Sequence, residues 1–499
     1  MKRFENSPGR SHGLMLLAIL ACSAFMTVPA AQERPNILVI IGDDMGIETI
    51  GSFGVGADTP TTATLDALAE RGVRFNNMWA QPVCTPTRAT IMTGRYGFRT
   101  GVGGPTGDNE ARGYMPDPPP VPEGLGVPIG MGGAGMGGMA AGGMAGGGMG
   151  AAGPRWGISL EEFTLPQAFN TRPDLGYDKA AIGKWHLSDV RNGWEDHPNL
   201  IGFDHFSGLV RCCVENFFGW VKLVNGEFST ETGYAPTAKI DDAIEWLGDP
   251  AAREEPWFMW LAFNTPHSPI HMPPWELLQS DDPALDDPES GNRPYFKAMI
   301  EAMDTEIGRL LDYIGPEVLE NTYVIFMGDN GTGGGVVGPP FRQGAAKGSV
   351  YNGGVSVPFL VTGPGVAAGE TSYALANSTD LFATILEMAG IDYREAVPDD
   401  IALDTVSLMP YLSDPGRESI REWVYADAFT TDLGVRSGEY AIRGLRFKYL
   451  VDQGVEHFFD LEVDPYEHTN LLEGELTADQ SAAFDRLKSQ VDALHAGEF

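Results

Sequence analysis

The sequence predicts an α/β protein with a large, mostly parallel β-sheet flanked by helices, followed by a smaller C-terminal α+β domain built on an antiparallel sheet. Several apolar runs lack alternation and end abruptly in polar or glycine-rich loops, which is typical of strands buried on both faces. Helix-like stretches lie between these runs, and such alternation favours a parallel sheet. The last part of the chain instead carries short strand-like pieces that suit local antiparallel pairing.

The first element, residues 1–31, has the features of an export signal. Basic residues precede an apolar run that is too short for a comfortable membrane span, and small residues follow it. We expect cleavage near Ala30 or Ala31. A lipoprotein signal with Cys22 acylated is the alternative, although Leu20 fits that motif poorly. The mature protein is therefore expected to be periplasmic or secreted, without a stable membrane span.

The large domain is expected to span residues 32–415 and to place polar side chains where its strands end. In sheets of this kind, ligands bind beyond the carboxyl ends of the strands, so we expect the functional site there. The apolar runs are 36–44, 178–186, 256–267 and 321–331, and the helix-like stretches are 62–72, 160–170, 239–248 and 295–315.

A segment rich in Gly, Met and Ala interrupts this domain. Residues 130–153 have this composition and follow a proline-rich piece. Because such a composition has high chain entropy and packs no core by itself, we predict a flexible surface insertion at about 123–153. A methionine-rich lid is the alternative, since thioethers adapt to varied apolar ligands.

The C-terminal domain is expected to span residues 416–499. It follows an amphipathic helix at 378–390 and contains strand-like pieces that predict an antiparallel sheet. A closing helix is predicted at 477–497.

The charge balance excludes one class of partner. The formal net charge is -35, from 33 Lys+Arg against 68 Asp+Glu. Nucleic acid is not expected to bind, because phosphate recognition needs a basic surface. Long polyanionic substrates are also disfavoured by long-range repulsion.

Two pairs of oxygen-bearing residues follow predicted strands. Asp43 and Asp44 come after one strand, and Asp329 and Asn330 come after another. Together they offer only oxygen ligands, which suits Ca²⁺ or Mg²⁺ and argues against a zinc site of nitrogen and sulfur ligands. Either pair alone is also compatible with an ordinary turn.

Four basic residues lie at the same predicted edge or in glycine-rich loops: Lys184, His186, His267 and Lys347. A lone histidine is usually structural. Two histidines and two lysines at one edge of a sheet indicate an anion site with proton transfer.

Cys84 stands at a predicted helix start. Pro86 lies near the first helical turn, where exposed N–H groups and the helix dipole favour an oxyanion. Arg88 follows one turn later and can fold back toward Cys84. The spacing differs from a tyrosine-phosphatase loop, in which Thr90 would be the arginine. Neighbouring cysteines rarely bridge each other, so Cys212–Cys213 is predicted to be a pair of thiols.

The stretch CTPTRATIMTGR (84–95) resembles the Cys-x-Pro-x-Arg signature of type I sulfatases, which continues toward Thr-Gly-Arg. Further segments resemble the motifs of that family in the family's order. The resemblance implies an alkaline-phosphatase-like fold for the large domain. The further segments are PNILVIIGDDMG, GKWHLS, NTPHSP, FMGDNG, KGSVYNGGVSVP and FFDLEVDPYEHTNLL.

The resemblance also implies a metal site and an unusual nucleophile. Asp43, Asp44, Asp329 and Asn330 would bind one divalent ion, with calcium expected and magnesium as the alternative. Cys84 would complete the site after conversion to Cα-formylglycine (3-oxoalanine) by a formylglycine-generating enzyme. Asp329 would be the base for this nucleophile.

The remaining basic residues receive roles by the same resemblance. Arg88 would orient the formylglycine hydrate, and Lys184 and Lys347 would hold the sulfate oxygens. His267 would protonate the leaving alcohol, and His186 would assist the hydrate hydroxyl. The implied activity is hydrolysis of a sulfate monoester, on a small molecule or a carbohydrate, to an alcohol and inorganic sulfate.

Three positions depart from the common family pattern. Thr87 stands where relatives often have Ser, and Met92 stands where they often have Leu, so both bear on recognition by the converting enzyme. Asn352 replaces the carboxylate of the common YEGG sequence, and we expect it to change the surroundings of the site without loss of activity.

Two other functions stay open at this point. A phosphonate monoester or phosphodiester hydrolase of the same superfamily often has Asp-His-Gly in place of Asp-Asn-Gly, and Asn330 favours a single hard ion instead. A catalytically silent, exported binding protein would leave Cys84 unoxidised. The full set of basic residues argues against it, because binding alone does not need that set.

Overall fold

Ten strands form the larger of two β-sheets. The computed structural model describes residues 34–106, 117–120, 157–287, 289–429 and 438–497. The strands of this sheet are β1 (Asn36–Gly42), β2 (Val73–Trp79), β3 (Asp178–Lys184), β4 (His205–Leu209), β5 (Trp220–Val224), β6 (Glu227–Glu231), β7 (Trp257–Ala262), β8 (Thr322–Gly328), β9 (Phe359–Thr362) and β10 (Glu370–Asn377).

The centre of this sheet is parallel. The strand order is β10-β2-β9-β8-β1-β7-β3-β4-β5-β6. The five strands from β8 to β4 run parallel to their neighbours, whereas β9, β5 and β6 pair antiparallel. The prediction of a mostly parallel sheet is therefore confirmed, with antiparallel strands toward its edges.

Helices pack on both faces of this sheet and on the smaller, C-terminal sheet. They are α1 (Ala63–Arg71), α2 (Cys84–Thr93), α3 (Gly97–Thr100), α4 (Leu165–Asn170), α5 (His197–Leu200), α6 (Ala235–Leu247), α7 (Arg293–Ile314), α8 (Pro316–Leu319), α9 (Asn352–Val355), α10 (Asp380–Met388), α11 (Tyr393–Ala396), α12 (Met409–Ser413) and α13 (Ala478–Ala496). Ile37, Val39 and Ile41 of β1 pack into the core that contains α2 and α10. Leu38 and Ile40 pack into the opposite core with α1, α6 and α7. This two-sided burial explains the apolar runs without alternation.

One predicted helix begins later than its pattern indicates. Residues 160–164 of the predicted stretch 160–170 are not helical, because Thr164 caps the helix. The backbone N–H of Thr164 donates to the side chain of Gln167, and Pro166 occupies the first turn. The capping box and the early proline fix the start of the helix at Thr164. Their effect is stronger than the tendency of the preceding leucine and glutamates to extend the helix.

The C-terminal part forms a four-stranded antiparallel sheet and a closing helix, as predicted. Its strands are β11 (Val424–Ala428), β12 (Glu439–Arg443), β13 (Phe447–Asp452) and β14 (Val455–Asp460), and α13 packs on it. A shared core joins the two sheets, since Trp79 and Val350 cluster with Val424, Leu450 and Phe459. Residues 34–499 accordingly group as one compact unit.

Some predictions fall outside the described residues. The export signal at 1–31, including Cys22, and the insertion at about 123–153 lie there. Among the helices that the structure describes, none is long and apolar enough to cross a membrane.

Candidate active site

The carboxyl ends of four parallel strands bring the predicted residues to one edge of the sheet. The strands β8, β1, β7 and β3 are consecutive neighbours. Their register is tight, with Gly42 opposite Gly328 and Ile41 opposite Ala262. The residues that follow the four strands therefore meet: Asp329 and Asn330 after β8, Asp43 and Asp44 after β1, His267 after β7, and Lys184 and His186 at the end of β3.

The two aspartates after β1 point into the same site because the backbone turns sharply between them. The N–H of Asp43 donates to the carbonyl of Thr265 at 3.0 Å. Asp44 has a positive φ of 70°. Its N–H donates to Oδ1 of Asp329 at 3.1 Å. A left-handed residue costs free energy for a side chain other than glycine, so this turn is held by its neighbours.

The loop that carries Lys347 approaches the second carboxylate loop through two glycines. The N–H of Gly331 donates to the carbonyl of Gly354 at 2.8 Å. A Cβ at Gly331 would lie 1.9 Å from the carbonyl oxygen of Gly353. The N–H of Lys347 also donates to the carbonyl of Thr332 at 3.0 Å. Only glycine permits this close packing of two backbones, which places Lys347 above the carboxylates.

Cys84 is the first residue of α2, as predicted. Val83 precedes it in extended conformation, and the Thr87 hydroxyl accepts the N–H of Gln81 at 2.9 Å. Thr87 therefore fixes the chain as it enters the helix, and its hydroxyl does what a serine could do at this position. Cys84 is buried, with 2% of its surface exposed.

Arg88 is fully buried and binds Asp329. Its guanidinium donates to Oδ2 of Asp329 from Nη2 at 2.8 Å and from Nε at 3.1 Å. Nη1 donates to the carbonyl of Lys184 at 2.8 Å. These contacts give Arg88 a direct hold on one carboxylate and on the end of β3. Such forked, charge-assisted hydrogen bonds are strong and directional.

The two lysines contact the other two carboxylates. Nζ of Lys184 lies 2.6 Å from Oδ2 of Asp43. Nζ of Lys347 forms an ion pair with Asp44 and lies 3.8 Å from Sγ of Cys84. Three buried carboxylates are thus matched by three buried or half-buried cations, which limits the free energy that their desolvation costs.

Burial decides the protonation of the groups at the centre. Burial raises the pKa of Asp43 to about 7, with Lys184 opposing it. Burial would also raise the pKa of Asp44, but the charges of Lys347 and Lys184 hold it below its ordinary value. Burial raises the pKa of the Cys84 thiol despite the nearby lysines. An unmodified Cys84 would therefore be a neutral thiol at pH 7, which is a poor nucleophile.

Both histidines are neutral in this setting. Burial, with Lys184 and Arg88 nearby, holds the pKa of His186 well below its ordinary value. Burial lowers the pKa of His267 to about 4, although Asp44 opposes this shift. Nδ1 of His267 lies 2.8 Å from the carbonyl of Ser268, which assigns the proton to Nδ1. Nε2 is then free to exchange a proton with a ligand.

The residues at this edge fit a hard divalent cation. Oδ1 of Asp43 and Oδ1 of Asn330 are buried without a hydrogen-bond partner. Nδ2 of Asn330 donates to Asp44 at 2.9 Å, which leaves the amide oxygen for another ligand. Ligand atoms of Asp43, Cys84 and Asp329 all lie within 4.8 Å of one another. Oxygen donors with this charge suit Ca²⁺ or Mg²⁺.

Asn352 faces the C-terminal sheet. Its N–H donates to Oε2 of Glu467 at 2.7 Å, and its side-chain oxygen accepts from Lys448 at 3.2 Å. Lys448 and Glu467 form a buried ion pair at 2.5 Å. The carboxylate that Asn352 lacks is therefore supplied next to it by Glu467, from the loop after β14.

Sequence reasoning was wrong about one pair of residues. Cys212 and Cys213, predicted to be thiols, form a disulfide. Sγ of Cys213 lies 3.8 Å from Nε2 of His267. The pair comes just after β4, the neighbour of β3, so its position at the same sheet edge was the signal that could have placed it near the site. The prediction of two thiols relied instead on the rarity of disulfides between adjacent cysteines.

Comparison with known proteins agrees with this geometry. A sequence model described as Sulfatase matches residues 35–391, and a model described as N-sulphoglucosamine sulphohydrolase, C-terminal, matches residues 346–496. The N-acetylgalactosamine-6-sulfatase of Homo sapiens is 28% identical, covering 78% of this chain and 67% of its own. The arylsulfatase A of Homo sapiens is 26% identical, covering 93% of this chain and 89% of its own.

Solved structures show the same fold at lower identity. Ps i-CgsB, solved in complex with k-i-k-neocarrahexaose, has a TM-score of 0.68 at 24% identity, covering 93% of both chains. BT4656, solved in complex with its substrate D-glucosamine-2-N,6-O-disulfate, has a TM-score of 0.62 at 19% identity, covering 93% of this chain and 98% of its own. The chain belongs to the sulfatase family and is a sulfuric ester hydrolase.

Proposed function

We propose that this sulfatase is an exported enzyme that uses formylglycine, made from Cys84 by a formylglycine-generating enzyme, and one calcium ion to cleave the sulfate ester of a carbohydrate. The observation that carries the proposal is the position of Cys84. It is a buried, neutral thiol at a helix N-terminus, 3.8 Å from Nζ of Lys347 and close to the carboxylates of Asp43 and Asp329. This setting disfavours a thiolate and favours a group with oxygen ligands.

The absent groups would supply two kinds of chemistry. A divalent ion held by Asp43, Asp44, Asp329 and Asn330 would polarise a sulfate oxygen. Hydrated formylglycine offers two hydroxyls, one to attack sulfur and one whose deprotonation releases sulfate and restores the aldehyde. An ordinary serine would instead depend on water to cleave its sulfate ester.

The residues of the chain would hold charge and move protons. Lys184 and Lys347 would bind the sulfate oxygens, where negative charge grows as the S–O bond breaks. Arg88 would keep Asp329 in place through its two hydrogen bonds. His267, once protonated on both ring nitrogens, would give a proton from Nε2 to the leaving oxygen. An anionic sulfate ester next to Nε2 would raise the low pKa of His267, so that binding of the substrate favours the protonated form of His267.

The names of similar proteins support a sulfated carbohydrate as substrate. The N-acetylgalactosamine-6-sulfatase of Homo sapiens is named for a sulfated sugar, and Ps i-CgsB was solved in complex with k-i-k-neocarrahexaose. The net charge of -35 disfavours long polyanions, so a short sulfated saccharide fits this chain better than a densely sulfated polymer.

The test is a turnover panel. Sulfated monosaccharides and an aryl sulfate are expected to be hydrolysed, with phosphonate monoesters slower or inert. Cys84→Ala is the control and should abolish all turnover, because it removes the precursor of the nucleophile. Faster turnover of phosphonate monoesters than of every sulfate ester would overturn the proposal.

A further inference from the structure

We propose that the Cys212–Cys213 disulfide is a specificity-determining wall of the substrate pocket, and that it contacts the apolar face of the ring that carries the sulfate ester. The inference rests on the proposed function, since it concerns the leaving-group side of the same site.

The fold places this disulfide beside the residues that bind sulfate. In the parallel pair β3–β4, Lys184 is opposite Leu209. The pairing continues past both strands, because the N–H of Trp185 donates to the carbonyl of Leu209 at 2.8 Å and the N–H of His186 donates to Val210 at 3.1 Å. The disulfide begins two residues after Val210. It therefore emerges at the carboxyl edge of the sheet.

The disulfide also lies next to the proton donor for the leaving group. Nε2 of His267 has Sγ of Cys213 at 3.8 Å and Oδ2 of Asp44 at 3.9 Å. An oxygen that takes a proton from Nε2 lies about 3 Å from it. When that oxygen approaches Nε2 from the side of Cys213, the carbon bound to it lies within van der Waals reach of Sγ, and the alcohol part of the substrate lies beside this sulfur.

The loop that carries the disulfide is anchored. Nδ2 of Asn264 donates to the carbonyl of Cys212 at 3.1 Å. The N–H of Ala235 donates to the carbonyl of Phe217 at 2.8 Å. The ring of Phe217 stacks on His271, with ring centroids 4.3 Å apart. A wall on an anchored loop can select substrates by shape, because it does not move aside at low cost.

The chemistry of this wall defines what it contacts. A disulfide has no N–H or O–H donor, and sulfur is polarisable. Cys212 and Cys213 are both partly exposed. They match the C–H face of a ring, which a pyranose and an aromatic ring share, better than they match hydroxyl groups. His271 is buried, with 2% of its surface exposed, and stacks on Phe217. The disulfide, and not His271, is therefore the group that can contact the ring of the substrate.

The test compares kcat/KM for three sulfate esters: a sulfated monosaccharide, an aryl sulfate and a ring-free alkyl sulfate. The double variant Cys212→Ala/Cys213→Ala should lower the ratio of ring to ring-free kcat/KM about tenfold, mainly through KM, because a lost apolar contact has about this effect. A larger loss with the monosaccharide assigns the contact to a pyranose face. A larger loss with the aryl sulfate assigns it to an aromatic ring.

The control is Val214→Ala, which shortens a buried side chain of the same loop and should leave that ratio unchanged. If the alanine variant does not fold, Cys213→Ser is measured in its place, with a smaller shift in the same direction. An unchanged ratio, or an equal fall in kcat for all three esters, would overturn the inference alone. If the wild-type enzyme turned over no sulfate ester, both the proposed function and this inference would fail.

Discussion

At residue 88, the structure adds a contact that the sequence could not supply. The sequence placed Arg88 one helical turn after Cys84 and implied that it acts on the nucleophile. In the structure its forked hydrogen bonds reach Asp329, a residue 241 positions away. Spacing along a helix predicts which residues share a face, but it holds no information about a partner delivered by a distant strand.

The variant Arg88→Lys distinguishes two roles of Arg88, action on the nucleophile and orientation of Asp329. Lysine cannot make the forked contact, so Asp329 should lose its orientation. We expect the calcium concentration for half-maximal activity to rise about 10- to 100-fold, which is the usual effect of removing a group that orients a metal ligand. Activity after chelation should return with added calcium. A fall in kcat at unchanged calcium dependence would show that Arg88 acts on the nucleophile instead.

A second residue-scale prediction concerns pH. Burial lowers the pKa of His197 to about 4. Nε2 of His197 donates to the carbonyl of Ile158, and Nδ1 accepts from Trp185. The folded pKa is below the unfolded value of about 6.5, so the unfolded state binds more protons between these values. The stability that the neutral, buried His197 contributes is full above pH 6.5 and is lost as the pH falls toward 4.

The size of this loss is measurable. His197 should contribute a decrease of about 2 kcal/mol in the free energy of unfolding between pH 7 and pH 5. Urea denaturation of wild type and His197→Gln at both pH values checks this, since glutamine does not titrate. Equal pH dependence in the two proteins would refute the assignment of a neutral, buried His197.

At the scale of elements, the sequence was most reliable where packing repeats along a strand or helix. It predicted four central strands and the bounds of α1, α7 and α13 to within a few residues. It was less reliable where one side chain decides, as at Thr164, and at the Cys212–Cys213 disulfide, where the rarity of bridges between adjacent cysteines misled the prediction. It was also less reliable where contact between distant segments decides. Asn352 is an example of such a contact, because its partners are Lys448 of β13 and Glu467 of the loop after β14.

The buried pair Lys448–Glu467 ties the C-terminal sheet to the loop of Asn352, and it gives an element-scale prediction. Glu467→Gln leaves Lys448 buried without a counter-charge, so the free energy of unfolding should fall by about 3–5 kcal/mol. The exposed pair Lys488–Glu456 is the matched control. Glu456→Gln should cost less than about 1 kcal/mol. Similar losses for both variants in urea denaturation would contradict the structural role given to Glu467.

At the scale of the whole molecule, an acidic protein places three cations beside three carboxylates at one sheet edge. Arg88, Lys184 and Lys347 face three carboxylates there, while the net charge is -35. The sequence predicted this meeting of residues because parallel strands share a carboxyl edge. It could not predict the strand order, in which β1 lies between β7 and β8, since nothing in a single strand names its neighbours.

The central claim is that Cys84 is the precursor of the nucleophile, and one measurement tests it most directly. Protein made with and without a formylglycine-generating enzyme is digested with trypsin, and the peptide 75–88 is weighed while turnover of nitrocatechol sulfate is measured on the same samples. We expect turnover to rise in proportion to the fraction of peptide that shows the mass loss of thiol-to-aldehyde conversion, and to be absent in Cys84→Ala. Full turnover in a preparation whose Cys84 is entirely an unmodified thiol would contradict the claim.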